Sequence, residues 1–229
     1  MEKFKDIVNI KTMKKLIIFF IGMSVIQLGV ALFLKTNIGS DPFTVFTQGL
    51  ANTLTKFGLD ATPGMANRII LILLFSVILI VNKSHIKIGT LICVVGVGPI
   101  IDLGMTIVSI FQVESCGFIF KMIFLTIGCF VIAVGFSMLS ATNIGVAPND
   151  IIPFIIKEKT NFQYRWIRIF LDASFLIGGY FLGGTIGVGT VIAMLTTGPF
   201  IQMCLPYGKK FVDFLIEEKI ELDDLEEVK

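Results

Sequence analysis

One heptapeptide occurs twice in this chain, as Thr36-Asn37-Ile38-Gly39-Ser40-Asp41-Pro42 and, 106 positions later, as Thr142-Asn143-Ile144-Gly145-Val146-Ala147-Pro148. We call these stretches the first motif and the second motif. Other pairs of like residues recur at separations of 106 or 100: Gly22 with Gly128, Gly29 with Gly135, Arg68 with Arg168, Gly89-Thr90 with Gly189-Thr190, Gly98-Pro99 with Gly198-Pro199, and Ile101 with Ile201. Such recurrence is typical of internal duplication. We therefore predict two halves built on one plan.

The composition predicts a chain that lies in a lipid bilayer. Of its 229 residues 55% are hydrophobic and only 16% are charged, and the mean hydropathy is +0.88. Soluble domains carry roughly 25% charged residues. The charge-free runs 16–34, 122–149 and 173–208 are long enough for helices that cross a core of about 30 Å. The net charge of +2, with no basic cluster on a soluble domain, gives no reason to expect a nucleic-acid partner.

The hydrophobic pattern predicts an all-α polytopic protein with about six spans and two short helices that follow the motifs. The spans are predicted at about 16–35, 65–82, 88–111, 118–140, 166–183 and 189–206, and the short helices at 42–57 and 151–156. Asp41 is a natural N-cap for the first short helix, and Pro42 suits its first position. The chain then divides into a basic N-terminal segment (1–15), a first repeat (16–111), a second repeat (118–206) and an acidic amphipathic tail (209–229).

The short motif helices are expected to be re-entrant or interfacial. Cytoplasmic loops usually carry more Lys and Arg than outer loops, and the chain obeys this rule whether or not these helices cross the membrane. Charge therefore does not decide the question. Length does: residues 146–156 make about 16 Å of helix, which is far less than the bilayer core. Each half then has three spans, an odd number, and the two halves face opposite ways. The predicted architecture is an inverted duplication, with both termini in the cytoplasm.

Inverted repeats with broken helices are typical of secondary transporters. Glycine permits the break, proline restarts a helix, and asparagine offers a donor and an acceptor. We predict that the motif residues line a substrate path, although an ordinary helix-to-helix turn explains the same pattern; the candidates are Thr36, Asn37, Gly39, Asp41, Pro42, Thr142, Asn143, Gly145, Pro148, Asn149 and Asp150. Because acids already stand at both short-helix starts, a cation or a neutral polar solute is favoured over an anion.

Two further pairs of polar residues lie within predicted spans. Asp102 and Gln202 occupy matched positions, where they either line the same path or bond a neighbouring helix. Arg168 and Asp172 lie four residues apart on one helix face, and a structural ion pair is the favoured interpretation.

The sequence offers no catalytic or metal site. Four cysteines without metal-ligand spacing (Cys93, Cys116, Cys129 and Cys204) and the single histidine, His85, predict neither a metal nor a cofactor. Because no nucleophile and base are paired, we do not expect an enzyme.

The motif blocks resemble the YczE/YyaS/YitT family of bacterial integral membrane proteins, and most of all its YczE-like branch. The matching features are Ile38-Gly39-Ser40-Asp41-Pro42, Gly89-Thr90, and Gly98 to Ile101, and the resemblance covers about residues 16–206. The chain departs from the family where an aromatic residue, usually Trp, follows the proline, because Phe43 and Asn149 stand there. The resemblance implies a multi-pass protein of the bacterial inner membrane and assigns no catalytic residues.

Two functions follow as hypotheses. The first is a small-solute or ion transporter built on inverted repeats. The second is a membrane protein that transports nothing and binds a partner or a lipid, for instance through the acidic tail.

Overall fold

A computed structural model describes residues 2–160, 162 and 164–226. The described residues form eight α-helices and two short 3-10 turns, with no β-strand among them. The helices are α1 (Glu2–Thr36), α2 (Pro42–Lys56), α3 (Pro63–Val81), α4 (Ile88–Ser109), α5 (Phe118–Ala141), α6 (Pro148–Lys159), α7 (Tyr164–Phe181) and α8 (Val188–Glu226). The 3-10 turns are Lys83–His85 and Val113–Ser115.

Five of these helices are long and apolar enough to cross a membrane, counted over the described residues. Their apolar stretches are Ile10–Thr36, Pro63–Val81, Ile88–Ser109, Phe118–Ala141 and Val188–Ile216. The fifth predicted span, 166–183, coincides with α7, whose apolar stretch Ile169–Phe181 is shorter than the others. The chain is thus a polytopic all-α membrane protein, as predicted, with five long apolar helices and the shorter α7 among the described residues.

The short helices after the motifs agree with the prediction. α2 has 15 residues and α6 has 12, which correspond to about 22 and 18 Å. Both are shorter than the hydrocarbon core. Asp41 caps α2, because its side chain accepts a hydrogen bond from the Thr44 N–H, and Pro42 fills the first helical position.

α1 and α5 form the centre of the bundle and run antiparallel. A β-carbon built on Gly22 would lie 2.9 Å from the Gly135 carbonyl oxygen, and one built on Gly29 would lie 2.7 Å from the Gly128 oxygen. As the residue number on α1 increases from 22 to 29, the number of its partner on α5 decreases from 135 to 128, so the two helices run in opposite directions. Small residues let the backbones approach this closely, as is usual where helices pack in lipid.

α4 packs along α1, and α8 packs along α5. Met23 on α1 lies beside Gly96 and Ala31 lies beside Gly104, so α4 runs parallel to α1. Phe19, Met23, Cys93, Val97 and Ile101 form much of the buried cluster between these two helices. A second cluster, which includes Leu125, Cys129 and Ala193, joins α5 to α8.

Both polar terminal segments continue the long helices α1 and α8. α1 begins at Glu2, inside the predicted segment 1–15, and α8 continues unbroken through the predicted tail to Glu226. Val212 is fully buried and Ile216 is 9% exposed, and both pack against Ile18. The beginning of the tail is therefore part of the bundle, because its apolar residues cover the start of α1.

The two ends of the bundle carry different motifs. At the first-motif end, the Lys35 Nζ atom lies 2.8 Å from the Glu114 carboxylate. At the second-motif end, the Lys14 Nζ atom donates to the Leu215 carbonyl oxygen at 2.7 Å. His85 lies 2.8 Å from Glu158 at that same end, so this histidine is tied to α6.

Candidate functional site

The first motif leaves the helix at Asn37, which has a left-handed φ of 52°, and Gly39 follows with φ 115°. The Ile38 carbonyl oxygen, freed from helical bonding, accepts a hydrogen bond from the Gly189 N–H at 2.9 Å. The Asn37 side chain accepts one from the Thr185 hydroxyl at 3.1 Å. The break is thus held by the residues that begin α8.

The second motif repeats this backbone path. Asn143 has φ 56° and Gly145 has φ 153°. The Ile144 carbonyl oxygen accepts from the Gly89 N–H at 3.2 Å, and the Asn143 carbonyl oxygen accepts from Lys87 Nζ at 3.3 Å. This break is held by the residues that begin α4.

Both motif glycines are pressed against the Gly-Thr pair of the opposite half. A β-carbon on Gly39 would lie 2.7 Å from the Thr190 amide nitrogen, and one on Gly145 would lie 2.9 Å from the Thr90 nitrogen. Any larger residue at either glycine therefore meets both positive φ strain and backbone atoms. Each half supplies the contact that seats the other half's motif.

The motifs themselves lie at opposite ends of α1 and not together. The first motif follows the end of α1 at Thr36, whereas Phe19 contacts Gly89 beside the second motif. Seventeen residues of helix correspond to about 25 Å. The two breaks therefore do not face each other, because the antiparallel α1 and α5 carry their C-terminal ends to opposite sides.

Most motif side chains are engaged locally. Thr36 and Thr142 are buried, and each hydroxyl donates to a carbonyl three residues earlier, on Phe33 and Leu139. Asn149 donates to Asp150 at 3.2 Å. Pro42 and Pro148 are buried at the first turns of α2 and α6. These contacts stabilise the breaks, and they leave the lining role as a prediction.

Asp102 bonds the neighbouring helix. Its carboxylate accepts from the Thr62 hydroxyl at 2.8 Å and from the Gly64 N–H at 3.1 Å. A β-carbon on Gly98 would lie 2.5 Å from the Gly64 carbonyl oxygen, so α3 begins in tight contact with α4. Asp102 thereby binds one free amide, that of Gly64, at the start of α3, where an anion is favoured.

Gln202 does not reproduce this arrangement. It is exposed on α8, and a β-carbon on nearby Gly198 would meet nothing within 4 Å. The structure therefore does not bring Asp102 and Gln202 into a matched pair. Asp172 does have an interaction partner, but the side chain of Arg168 lies outside the described part of the chain, and their ion pair stays a prediction.

Sequence reasoning missed two buried polar residues. Asn67 on α3 is 5% exposed and its amide oxygen accepts no hydrogen bond, and the Ser40 hydroxyl in the first motif is 2% exposed without a partner. A buried polar group without a partner costs free energy, so such groups are often reserved for a ligand or water. The signal for Asn67 was an amide three residues into a predicted span.

No cluster of three or more His, Cys, Asp or Glu side chains that could hold a metal occurs in the part of the chain that the structure describes. The four cysteines are free thiols.

The chain is similar to several known proteins, and those named below are described as uncharacterized. It is 25% identical to the uncharacterized membrane protein YczE of Bacillus subtilis (strain 168), over 88% of this chain and 90% of the relative. It is 26% identical to the uncharacterized protein YyaS of the same organism, over 84% of this chain and 92% of the relative. An uncharacterized protein of Haemophilus influenzae is 24% identical over 84% of each chain. No solved structure matches.

The model of a family of unknown function (DUF6198) matches residues 13–206. This range includes both motifs, and it ends within the last long span, Val188–Ile216. With YczE and YyaS among its relatives, the chain belongs to this family of membrane proteins.

Proposed function

We propose that this protein is a small-solute or ion transporter built on two inverted repeats. One observation carries the proposal. Two similar helix breaks lie at opposite ends of the antiparallel pair α1 and α5, and each break contacts the Gly-Thr pair of the other half. Breaks of this kind expose unpaired backbone groups and are tolerated in a membrane only against protein or a water-filled cavity.

A difference between the halves suggests how the protein would alternate. α3 packs on α4, whereas its counterpart α7 packs on α2 and, within the described residues, forms no interface with α8. In an inverted repeat the other state has these roles exchanged, so that α7 joins α8 and α3 leaves α4. Access would then alternate between the first-motif end and the second-motif end.

The solute class that fits best is a cation or a neutral polar molecule with N–H or O–H groups. Asp41 and Asp150 stand at the starts of the two short helices. Within the described residues, the buried oxygen atoms of Ser40 and Asn67 have no hydrogen-bond partner, and they would accept from such a solute.

Localisation in a bacterial inner membrane, with both termini in the cytoplasm, belongs to the same proposal. The second-motif end holds Lys14, Lys87 and Lys159, whose ammonium groups bond Leu215, Asn143 and Val81. An excess of such cations marks the cytoplasmic side.

The first test concerns orientation. In a variant whose four cysteines are replaced by alanine, single cysteines are placed at Asp60 and at Glu158, both of which are exposed. An impermeant maleimide applied to intact cells is expected to label position 60 and not position 158. Labelling of both positions from the same side would contradict the inverted arrangement.

The second test concerns transport. The Thr53 hydroxyl bonds the Leu182 carbonyl, so cysteines at these two positions can be joined by a short bifunctional thiol reagent that fixes α2 to α7. The control joins cysteines at Lys35 and Glu114, which link α1 to the turn Val113–Ser115. Proteoliposomes are screened with a panel of cations and polar solutes on a solid-supported membrane.

We expect a solute-dependent current that the α2–α7 link abolishes and the control link leaves intact. A correctly oriented protein that carries no solute in the panel would instead favour the alternative of a protein that binds a partner or lipid. A current that both links leave unchanged would contradict the proposed exchange of packing.

A further inference from the structure

An arginine, Arg68, lies inside the membrane-spanning helix α3. Arg68 belongs to the span Pro63–Val81, its Nε atom is buried, and this atom makes no hydrogen bond. No ion pair joins Arg68 to an acid among the described residues. Charged side chains within a span are costly and usually have a functional partner.

The side chain lies where the groove between α3 and α4 meets the lipid. The Arg68 β-carbon would lie 3.3 Å from a β-carbon on Gly98, which places the stem of the side chain against α4. On the adjacent strip of α3, Met65, Ile69 and Ile72 are exposed large hydrophobic residues. A guanidinium on this border can therefore be reached from the bilayer.

One acid on α4, Asp102, is bonded to the start of α3. Asp102 follows Gly98 by one turn, and its two oxygens accept from the Thr62 hydroxyl and the Gly64 N–H. The matched residue of the second half, Arg168, has an acid four residues later, Asp172, whereas Arg68 has Ile72 at that distance. Arg68 therefore lacks the acid on its own helix that Arg168 has four residues later.

Depth limits what could bind. α3 begins beside Asp102, and α4 continues seven residues further to Ser109, which corresponds to about 10 Å. The Cα–Cβ bond of a helical residue is tilted toward the helix N-terminus, which for Arg68 is the recessed start of α3. A large polyanion cannot enter this recess, whereas a small oxyanion or a lipid headgroup can.

We propose that Arg68 binds a single anionic oxygen-bearing group, of the phosphate type, in the groove between α3 and α4. The planar guanidinium donates two parallel N–H bonds to such a group, and the Nε atom is one of the donors. The group is either the phosphate of an anionic lipid or a free oxyanion. The site uses neither motif, and under the proposed exchange of packing it exists in the state in which α3 rests on α4.

The test uses the full-length protein and two probes. In the first arm, protein purified in mild detergent from vesicles of phosphatidylglycerol and phosphatidylcholine is examined by native mass spectrometry for retained phosphatidylglycerol. In the second arm, inorganic phosphate is titrated into delipidated protein and the melting temperature is followed. The variants are Arg68→Gln and Arg68→Lys, and the control is Lys121→Gln, which removes one positive charge near the same end of the bundle.

Retention of phosphatidylglycerol that falls about tenfold in Arg68→Gln and is unchanged in Lys121→Gln would identify a lipid phosphate. A saturable rise in melting temperature with phosphate that Arg68→Gln removes would identify a free oxyanion. Arg68→Lys is expected to keep part of either signal, because the charge remains and the paired donors are lost. Equal lipid retention and equal phosphate response in Arg68→Gln and the unchanged protein would overturn the proposal.

Discussion

The helix pairs α3–α4 and α7–α8 stand at matched places in the two halves, yet only the first pair is packed. On α4, Gly98 is buried against Gly64. On α8, the matched Gly198 is exposed with nothing near it. Of the apolar stretch of α8, 22% is buried, against 33–44% in the other four spans, so α8 is the most open long helix.

The sequence contains the physical reason for this difference. The residue matched to Gly64 is Tyr164, so α7 lacks the glycine with which α3 contacts Gly98. The residue matched to Asp102 is Gln202, which carries no charge to bind a helix start. Two faces with the same Gly-Pro pattern therefore differ because their partners differ.

The largest expected effect comes from substituting the two matched glycines. Gly98→Leu places a bulky side chain against the backbone of Gly64, and we expect destabilisation by more than about 4 kcal/mol or no folded protein. Gly198→Leu has open space and should change stability little. Thermal unfolding in detergent compares them. Equal losses in both variants would mean that α8 is covered in the native protein.

Truncation of the chain tests the part of α8 that packs against α1 through Val212 and Ile216. Deletion of 211–229 removes Val212 and Ile216 from the contact with Ile18, and we expect a loss of about 2–5 kcal/mol. Deletion of 217–229 leaves that contact in place. The shorter deletion is therefore the clean test of whether the acidic end binds a partner, with the melting temperature as the control measurement. Equal stability of the two truncations would contradict the packing role of Val212 and Ile216.

Asp102 and Gln202 give a smaller contrast. Asp102→Ala removes an acceptor for the Thr62 hydroxyl and the Gly64 N–H, and we expect a loss of about 2 kcal/mol. Gln202→Ala should cost almost nothing, since the side chain is exposed. The unfolding midpoints of both variants test this. A larger loss in Gln202→Ala would show that a second helix bonds α8 in the membrane.

The smallest effect concerns the first-motif end. The hydrogen bond from Lys35, and then its charge, lower the pKa of Glu114 below its ordinary value. A carboxylate with a lowered pKa stabilises the fold above its unfolded pKa, and this contribution is lost as the pH falls below about 4. Because Glu114 is largely exposed, we expect Glu114→Gln to cost about 0.5 kcal/mol of stability at pH 7. At low pH the variant and the unchanged protein should be equally stable. Melting temperatures measured from pH 7 to pH 3 check this, and an unchanged pH dependence would contradict it.

Much of the fold was accessible from the sequence. The hydrophobic pattern located all five long spans, and Asp41-Pro42 located the start of α2, because a membrane span and an N-cap depend on local composition. Contacts between distant residues were not accessible. Nothing near Asn37 in the chain indicates that its side chain meets Thr185, or that Ile38 accepts from Gly189. Asn67 was missed because an amide in an apolar run looks the same whether or not it finds a partner.

The sequence by itself determined that this is an all-helical membrane protein, that its helices break at Asn37 and Asn143, and that short helices follow each break. These are local properties of hydropathy, glycine and proline. Helix length had predicted that the two halves face opposite ways, but only the tertiary structure decided that each motif rests on the Gly-Thr pair of the other half, and that α3 rests on α4 while α7 rests on α2. Those features depend on which backbones can approach each other, and that is set jointly by small residues far apart in the chain, such as Gly22 with Gly135 and Gly64 with Gly98.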